Sequence, residues 1–413
     1  MSSSKNKPFY GWIIVAAFLV IGTMMYGTQS SFGVFFKSIS GEFGLTRAAT
    51  SAIFSVQNVF GAVASIIGGW AVDRYGPRVV VLLIGLFTGL SLLLTSQTNA
   101  AWQLFITYSL LFCVIGAVYT VMMSTVSRWF DKNRGLALGI AGSGIGLGIV
   151  AIAPFATYLI SSLDWRMAYI VMGLIAWVII MPLSRLLRKS PDGTGFKPDG
   201  PKSNSGEMSI AQPGNEGNIE LTVFSLREAS KTRSFWLFGV IWLFTAFVFS
   251  LILIHIVPHG TDIGIPPMEA ATVLSLLGAS FIAGRLLMGR VSDSIGGKKT
   301  AIACALLMAA SLIWLIWSHN LWMLYIFGIF FGLANGGLDT TIAALIGDTF
   351  GMRSIGVIMG TLQFAWGVGM IIGPAIGGLT FDFSNSYFTA FVIVAVTMVV
   401  IALLLALTRR ETK

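Results

Sequence analysis

Charged residues are scarce in this sequence. Asp, Glu, Lys and Arg make up only 10% of the 413 residues, whereas hydrophobic residues make up 55%. An average soluble domain has about 25% charged residues, which it uses to cover its surface. The deficit excludes an ordinary water-soluble globule and predicts a protein whose outer surface faces lipid.

Cysteine is also nearly absent. The chain has two cysteines, Cys113 and Cys304, and each lies within an apolar run. This usage argues against a disulfide framework and against a cysteine-based metal site. We therefore expect both residues to act as small buried hydrophobic side chains.

Motifs that would indicate an enzyme or a bound cofactor are missing as well. The run Gly142-Ser-Gly-Ile-Gly lies inside an apolar segment instead of after a strand, so it does not match a phosphate-binding loop. His255, His259 and Asp262 lack a fourth metal ligand, and Pro258 interrupts their helix. We expect no enzymatic activity, no metal and no cofactor.

Long hydrophobic runs are abundant. About 20 apolar residues suffice for a helix to cross a bilayer, and twelve such runs occur. They lie near 9–36, 47–72, 78–97, 102–128, 135–161, 165–186, 234–258, 268–292, 298–318, 321–347, 354–380 and 384–408. A stretch at 189–230, rich in Gly, Pro, Ser and Asn, separates the sixth from the seventh. The sequence thus predicts an all-α membrane protein with two six-helix bundles, 1–188 and 231–413, joined by a linker at 189–230.

The placement of positive charge predicts the orientation of the chain. The net charge is +9, but Lys and Arg lie in short clusters between apolar runs, which disfavours a nucleic-acid-binding face. Lys37, Arg47 and Arg166 fall in the predicted outer loops, Arg285 falls inside a helix, and all the others fall in the termini, the linker and the inner loops. This asymmetry predicts a multi-pass protein of the inner (plasma) membrane, with a retained first helix and both termini in the cytoplasm.

The two halves of the sequence repeat. Asp73 follows the second apolar run, and Asp293 follows the eighth in the same way. A short segment with an acidic residue followed by a basic one ends at Arg134, and a similar segment ends at Arg353. The two pairs are separated by nearly the same number of residues. Such an internal duplication is typical of transporter folds.

The segment Gly69-Trp-Ala-Val-Asp73-Arg74-Tyr-Gly76-Pro-Arg78 resembles the loop signature of the major facilitator superfamily. The resemblance implies a transporter in which two six-helix bundles rock against each other. An Asp beside a neighbouring helix N-terminus and an Arg beside C-terminal carbonyls can hold two helices together by charge–dipole attraction. We therefore expect an inner gate formed by Asp73, Arg74, Arg78 and Asp293; the alternative is that these charges only set the topology.

A glycine-rich segment, Gly369-x-x-x-Gly373-Pro374-x-x-Gly377-Gly378, lies in predicted helix 11. It resembles a Gly-Pro motif that facilitator antiporters carry in helix 5, so its position here says little about antiport. Because small residues allow close helix contact and Pro374 kinks the helix, we expect it to serve packing.

The start of predicted helix 5 carries the sharpest family resemblance. The segment Trp129-Phe130-Asp131-Lys132-Asn133-Arg134-Gly135-Leu136-Ala137-Leu138-Gly139-Ile140-Ala141 resembles the monocarboxylate transporter signature, whose near relatives include bacterial oxalate–formate exchangers. The resemblance implies a small carboxylate as substrate. In helix 8 it implies an Asp four residues before the Arg, where this chain has Phe281. In helix 1 it implies a Lys, where this chain has Ser30. The usual coupling residues are therefore replaced.

Two formal charges fall inside the predicted helices, Arg285 in helix 8 and Asp339 in helix 10. Each is roughly 12–14 Å from the inner end of its helix at 1.5 Å per residue, near the bilayer midplane. A charge there costs at least about 2.5–3.5 kcal/mol, so it normally faces a cavity and has a partner. We predict that Arg285 binds the substrate carboxylate through its planar fork and that Asp339 carries a proton. The alternative is a fixed structural ion pair.

Four further polar residues are candidates for substrate binding: Tyr119, Asn335, Gln363 and His255. Tyr119 and Gln363 are predicted at the same depth as Arg285, and Asn335 lies one turn from Asp339 on the same face. Each has a structural alternative, since a buried polar group in a membrane helix also bonds to neighbouring helices. His255 lies near the outer end of helix 7, where a role in gating or proton entry is the alternative.

The function that this reasoning predicts is secondary transport of small monocarboxylates such as lactate or pyruvate, by proton-coupled symport and alternating access, in a monomer. One alternative is an anion exchanger of the oxalate–formate kind, which a second cation in the cavity would favour. Another is a sensor that has lost transport, which a large extra domain would favour.

Overall fold

In a computed structural model, residues 10–130, 134–189, 225–350 and 355–408 are described, except for the side chains of 134, 135, 293 and 355–357. Twelve helices in this part of the chain are long and apolar enough to cross a membrane. In chain order they are α1 (Tyr10–Phe43), α2 (Arg47–Tyr75), α3 (Pro77–Ser96), α4 (Ala101–Trp129), α5 (Leu136–Ser162), α6 (Trp165–Ser184), α7 (Arg233–Asp262), α8 (Pro267–Ser292), α9 (Gly297–Ile316), α10 (Leu321–Phe350), α11 (Ile358–Ser384) and α12 (Phe388–Leu407). A single-turn helix, Leu226–Ala229, precedes α7.

The predicted number and order of the helices are confirmed, and the largest boundary difference is at α1. The apolar run was expected to stop near residue 36, but the helix continues through Lys37 to Phe43. Lys37 is tolerated because its side chain is partly exposed and forms an ion pair. The helix ends where Gly44 adopts φ 60° and its N–H bonds to the carbonyl of Ser40, a left-handed cap that glycine favours.

Helices α1, α4 and α5 are not regular throughout. In α1 and α5 the helix is interrupted at Ser31 and Ser143, whose hydroxyls donate to the carbonyls of Gly27 (2.7 Å) and Gly139 (2.8 Å). Such bonds from a serine to the preceding turn bend helices. Helix α4 contains a π-helical turn, Phe105–Leu110, followed by a 3₁₀ turn, Phe112–Ile115.

The helices form two bundles with the same internal pairing. In the first, α1 packs on α5, α2 on α4 and α3 on α6; in the second, α7 packs on α11, α8 on α10 and α9 on α12. Two hydrophobic cores match this division, one built almost entirely from α1–α6 and the other from α7–α12. The repeated pairing gives the duplication in the sequence a structural counterpart. The predicted linker lies mostly outside the described residues, so the domain boundaries stay a prediction.

Glycine residues set the closest helix contacts. A Cβ added to Gly116 of α4 would lie 2.0 Å from the carbonyl oxygen of Gly61 on α2, and one on Gly336 of α10 would lie 2.1 Å from that of Phe281 on α8. Small residues are needed here because lipid supplies no hydrophobic force between helices, so association depends on close packing. In the motif of α11, Gly369 and Gly373 lie against α7 in the same way, which confirms the packing role expected for it.

The two bundles meet in their outer halves. We call the end that carries Phe43 and Arg47 the outer end, following the orientation that the charge distribution predicts. There Gly378 of α11 packs on the backbone of Ala48, Gly33 of α1 packs on the carbonyl of Ile254, and the Ser55 hydroxyl donates to the carbonyl of Ile371 (2.7 Å).

Three glycines in the inner halves of α5, α8 and α11 have open space beside them. A side chain added at Gly139 of α5, Gly289 of α8 or Gly360 of α11 would meet no atom within 4 Å. The inner halves of these three helices therefore border free volume. The close glycine contacts and the Ser55 hydrogen bond described above join the bundles at the outer end.

We expect Gly116→Ala to lower the stability of the protein by about 1–3 kcal/mol, because its methyl group would overlap the backbone of α2. Thermal unfolding of the detergent-solubilised protein measures the change. Gly139→Ala is the matched control, since it adds the same methyl group in open space. Equal losses in both variants would contradict this account of helix packing.

Candidate functional site

Arg285 of α8 and Asp339 of α10 are in contact in the structure. Nη2 of Arg285 lies 3.3 Å from Oδ2 of Asp339, and the two side chains are 31% and 25% exposed. The helices can approach because Gly336 of α10 lies directly against the backbone of Phe281 and Arg285. A pair with this much exposure faces a cavity, since fully lipid-exposed charges would be far too costly.

Arg285 also reaches the other bundle. A methyl group at Gly142 of α5 would lie 3.9 Å from its Nη1, and its Cζ lies 5.6 Å from the ring centre of Phe281. One terminal nitrogen contacts Asp339, whereas the other faces α5. A guanidinium has five donors in a planar fork, so this arrangement leaves donors for an anion that enters between the bundles.

A tyrosine of the first bundle, Tyr119, lies near the ion pair. Tyr119 of α4 interacts electrostatically with both Arg285 and Asp339, and it interacts in turn with Tyr26 of α1. About a third of Tyr119 is exposed. Tyr26 was missed in the sequence, although a tyrosine in the middle of an apolar run is a signal that could have identified it.

Asn335 and Gln363 occupy different environments. Asn335 lies one helical turn from Asp339 towards the outer end, is 1% exposed, and its Oδ1 has no hydrogen-bond partner among the described residues. A buried carbonyl oxygen without a donor is unusual in a folded protein. Gln363 is exposed on α11, and in the described part of the chain no contact joins it to Arg285 or Asp339. Its binding role stays a prediction.

His255 lies within the outer closure. It is fully buried, its Nδ1 lies 3.0 Å from the Tyr387 hydroxyl, and its Nε2 lies 3.0 Å from the Pro374 carbonyl and 3.3 Å from the Ser51 hydroxyl. Because a carbonyl can only accept, Nε2 carries the proton and Nδ1 accepts from Tyr387. Both nitrogens are bonded to protein here, so a substrate role for His255 remains a prediction for a state in which these bonds are broken.

A cluster of charges closes the outer end. We call Lys37, Arg47, Asp262 and Asp382 the outer latch. Asp262 of α7 pairs with Lys37 of α1 (2.7 Å) and with Arg47 of α2 (2.8 Å), so one carboxylate of the second bundle holds two cations of the first. Arg47 also donates to the Tyr387 hydroxyl at 2.6 Å.

Asp382 holds the N-terminus of α2. Its two carboxylate oxygens accept the backbone N–H groups of Arg47 (2.9 Å) and Ala48 (2.8 Å). A carboxylate at this position satisfies free helix donors and is attracted by the helix dipole. From the sequence, such a contact is expected only at the inner end. The contact at the outer end has a signal in the sequence. Asp262 and Asp382 lie at or near the ends of α7 and α11, and the cations Lys37 and Arg47 lie at the same end of α1 and α2.

Of the residues predicted to form the inner gate, Asp73 and Arg74 are bound within the first bundle in the described part of the chain. Asp73 pairs with Arg128, and its carbonyl accepts from Lys189, both within the first bundle. Arg74 lies over the rings of Trp70 and Tyr75 on its own helix. Arg78 is exposed, and the side chain of Asp293 lies outside the described part. An inner latch is therefore a prediction for a state with the inner end closed.

Part of the predicted helix 5 signature lies outside the described residues, at 131–133, as does Arg353 of the repeat. The two aromatic residues at the start of the signature, Trp129 and Phe130, lie within the described part of the chain. Trp129 is fully buried, and its Nε1 donates to the carbonyl of Arg188 at 3.0 Å. This bond ties the inner end of α4 to the end of α6.

We expect Asp262→Asn to open the outer end more often, because Lys37 and Arg47 lose the charge that they share. Partly exposed ion pairs contribute about 1 kcal/mol, which corresponds to about a fivefold shift. The measurement is the rate at which a membrane-impermeant maleimide, added at the outer side, labels Ser51→Cys in a protein whose Cys113 and Cys304 are replaced by alanine.

Asp73→Asn is the control, because it removes the same charge from a carboxylate that pairs within its own bundle. It should not increase labelling from the outer side. An Asp262→Asn protein that labels no faster than its parent would show that the latch does not hold the outer end closed.

Comparison with known proteins places this chain in a family. The sequence model of the Major Facilitator Superfamily matches residues 17–290 and 250–413. Monocarboxylate transporter 12 of Xenopus laevis is 24% identical over 411 residues, covering 97% of this chain and 89% of that protein. The oxalate:formate antiporter of Oxalobacter formigenes is 26% identical over 299 residues, covering 70% of this chain and 65% of that protein.

The fold has solved counterparts. A bacterial homologue of the human lysosomal transporter Spinster, crystallised in an inward-facing and occupied conformation, superposes with a TM-score of 0.74 at 15% identity, covering 97% of each chain. The unoccupied form of that protein gives a TM-score of 0.69 at 16% identity, covering 98% of this chain and 96% of that one. The chain belongs to the Major Facilitator Superfamily and is a multi-pass membrane transporter, not an enzyme.

Proposed function

We propose that this transporter carries small monocarboxylates, such as lactate or pyruvate, together with a proton. The observation that carries the proposal is the contact between Arg285 and Asp339 in a partly exposed position between the two bundles. The similarity to monocarboxylate transporters supports a carboxylate as substrate. We further propose that it works as a monomer in the inner (plasma) membrane with both termini in the cytoplasm.

Substrate binding would replace one partner of Arg285 by another. A carboxylate that enters between the bundles can form two parallel bonds with the guanidinium, which are stronger and better directed than its single contact with Asp339. Tyr119 on the opposite wall would donate to the same carboxylate or to a substituent beside it. The substrate would then contact both bundles, as alternating access requires.

Asp339 would take up the proton when its partner is lost. An unpaired carboxylate away from bulk water is costly, so the neutral form becomes favoured once Arg285 binds the substrate. One proton and one monoanion then move together, and no net charge crosses the membrane. In the empty carrier the ion pair re-forms and again leaves no net charge at the site.

Alternating access follows from the two ends of the molecule. The outer latch is closed while the inner halves of α5, α8 and α11 border free volume. In the opposite state the latch would be broken and the inner residues Asp73, Arg74, Arg78 and Asp293 would hold the bundles together. The outer contacts join α1 and α2 to α7 and α11, whereas the inner ones would join the inner ends of α2 and α3 to that of α8.

An anion exchanger is the second candidate, and the similarity to an oxalate:formate antiporter favours it. In that case Asp339 is a fixed counter-ion for Arg285 and no proton moves. One turn before Arg285, where the monocarboxylate family has an acidic residue, this chain has Phe281. The two candidates differ in their response to a proton gradient.

We expect Asp339→Asn to abolish accumulation of radiolabelled L-lactate driven by an inward proton gradient in proteoliposomes. Exchange of lactate across the membrane should survive, because Arg285 still binds the carboxylate. Asp348→Asn is the matched control, since it changes an exposed aspartate at the inner end of the same helix. Wild-type transport that ignores the gradient would favour the exchanger, and an unaffected Asp339→Asn protein would remove Asp339 from proton coupling.

We also expect Asn335 to distinguish hydroxy acids from unsubstituted acids. Its unpartnered Oδ1 can accept the 2-hydroxyl of lactate, and a lost bond to a buried group costs about 1–2 kcal/mol. Asn335→Leu should therefore weaken lactate transport about 5–30-fold in kcat/KM and leave propionate, which lacks the hydroxyl, nearly unchanged. Equal losses for both substrates would contradict this role.

A further inference from the structure

A second cavity lies at the outer end, away from the Arg285–Asp339 pair. Its volume is about 480 Å³, and α1 and α5 of the first bundle and α7 and the α7–α8 turn of the second all contribute to its walls. Small-molecule sites have volumes of about 300–1,000 Å³, so the cavity can hold a compact organic ligand. Since both bundles line it, its shape depends on the closed outer end.

The walls of this cavity are largely apolar. They include Val34, Ile160, Val257 and Ile265, together with three prolines, whose fixed backbone keeps the rim rigid. Of the hydroxyl groups that face the cavity, those of Thr157 and Ser161 donate to carbonyls of their own helix at 2.9 and 3.0 Å. They are therefore free to accept but not to donate hydrogen bonds, which disfavours a highly charged anion.

Lys37 is the one cation that lines the cavity within the described part of the chain. It shares Asp262 with Arg47, so two positive charges face one carboxylate, and Asp382 is bound to the N-terminus of α2 instead. The side chain of Lys37 is 41% exposed. The four side chains of the outer latch balance in formal charge, so the cavity combines an apolar body with one ammonium group, already paired with Asp262, at its rim.

We propose that this cavity is a binding site for an amphipathic monocarboxylate, with the carboxylate at Lys37 and the apolar tail between α5 and α7. The Lys37 ammonium has three donors, so it can bind a carboxylate beside Asp262, and the walls match a short hydrocarbon chain. Because the ligand contacts both bundles only while the outer end is closed, it stabilises that state. It therefore acts as an inhibitor that does not compete with the substrate at Arg285.

The test uses purified protein in phosphatidylcholine nanodiscs and radiolabelled octanoate as the probe. Ser161→Trp fills the cavity and should weaken octanoate binding at least about tenfold, because the tail loses its apolar contacts. Ser162→Trp is the matched control, since it adds the same side chain one residue further along, outside the cavity. Lys37→Gln should weaken binding about fivefold through the lost charge.

Arg285→Gln separates this proposal from the proposed function. Octanoate binding should persist in that variant while lactate transport is lost. Binding that disappears in Arg285→Gln would place octanoate in the central site and overturn the proposal. So would binding that Ser161→Trp leaves unchanged, or binding that added phosphatidylglycerol displaces, since the cavity would then take a lipid headgroup.

Discussion

The cost of charge inside a bilayer is the constraint on which the rest of this structure depends. Lipid accepts neither an unpaired side-chain charge nor an unbonded backbone, so the chain forms helices, and Arg285 and Asp339 have each other as partners. The pair can form because glycine lets α8 and α10 touch along their backbones. An ion pair between two tightly packed helices of one bundle leaves the other bundle free to move against it.

The two ends of the molecule use charge differently. At the outer end, carboxylates of the second bundle hold two cations and a helix N-terminus of the first. At the inner end, the corresponding carboxylate, Asp73, is bonded within its own bundle. These contacts are partly exposed and individually weak, so a modest change in free energy can break them. A transporter needs such contacts to be breakable.

The central pair and the outer latch lie along the same interface between the bundles. The donors of Arg285 that face α5 lie where the two bundles meet, and the latch lies further out along the same interface. Movement of one bundle therefore changes access to Arg285 without disturbing its contact with Asp339. The hydrogen bonds of His255 to Pro374 and Tyr387 link α7, α11 and the start of α12 into one unit on the outer side of this interface.

The sequence by itself determined the class of fold, the number of helices and the depth of Arg285 and Asp339, because hydropathy and helical rise depend only on local composition. It also indicated the duplication, through markers such as Asp73 and Asp293. Only the tertiary structure decided which residues meet: Tyr26 with Tyr119, Asp262 with Lys37 and Arg47, and Asp382 with the N-terminus of α2. These contacts join residues far apart in the chain, and helix packing and bundle orientation fix them, which no local pattern encodes.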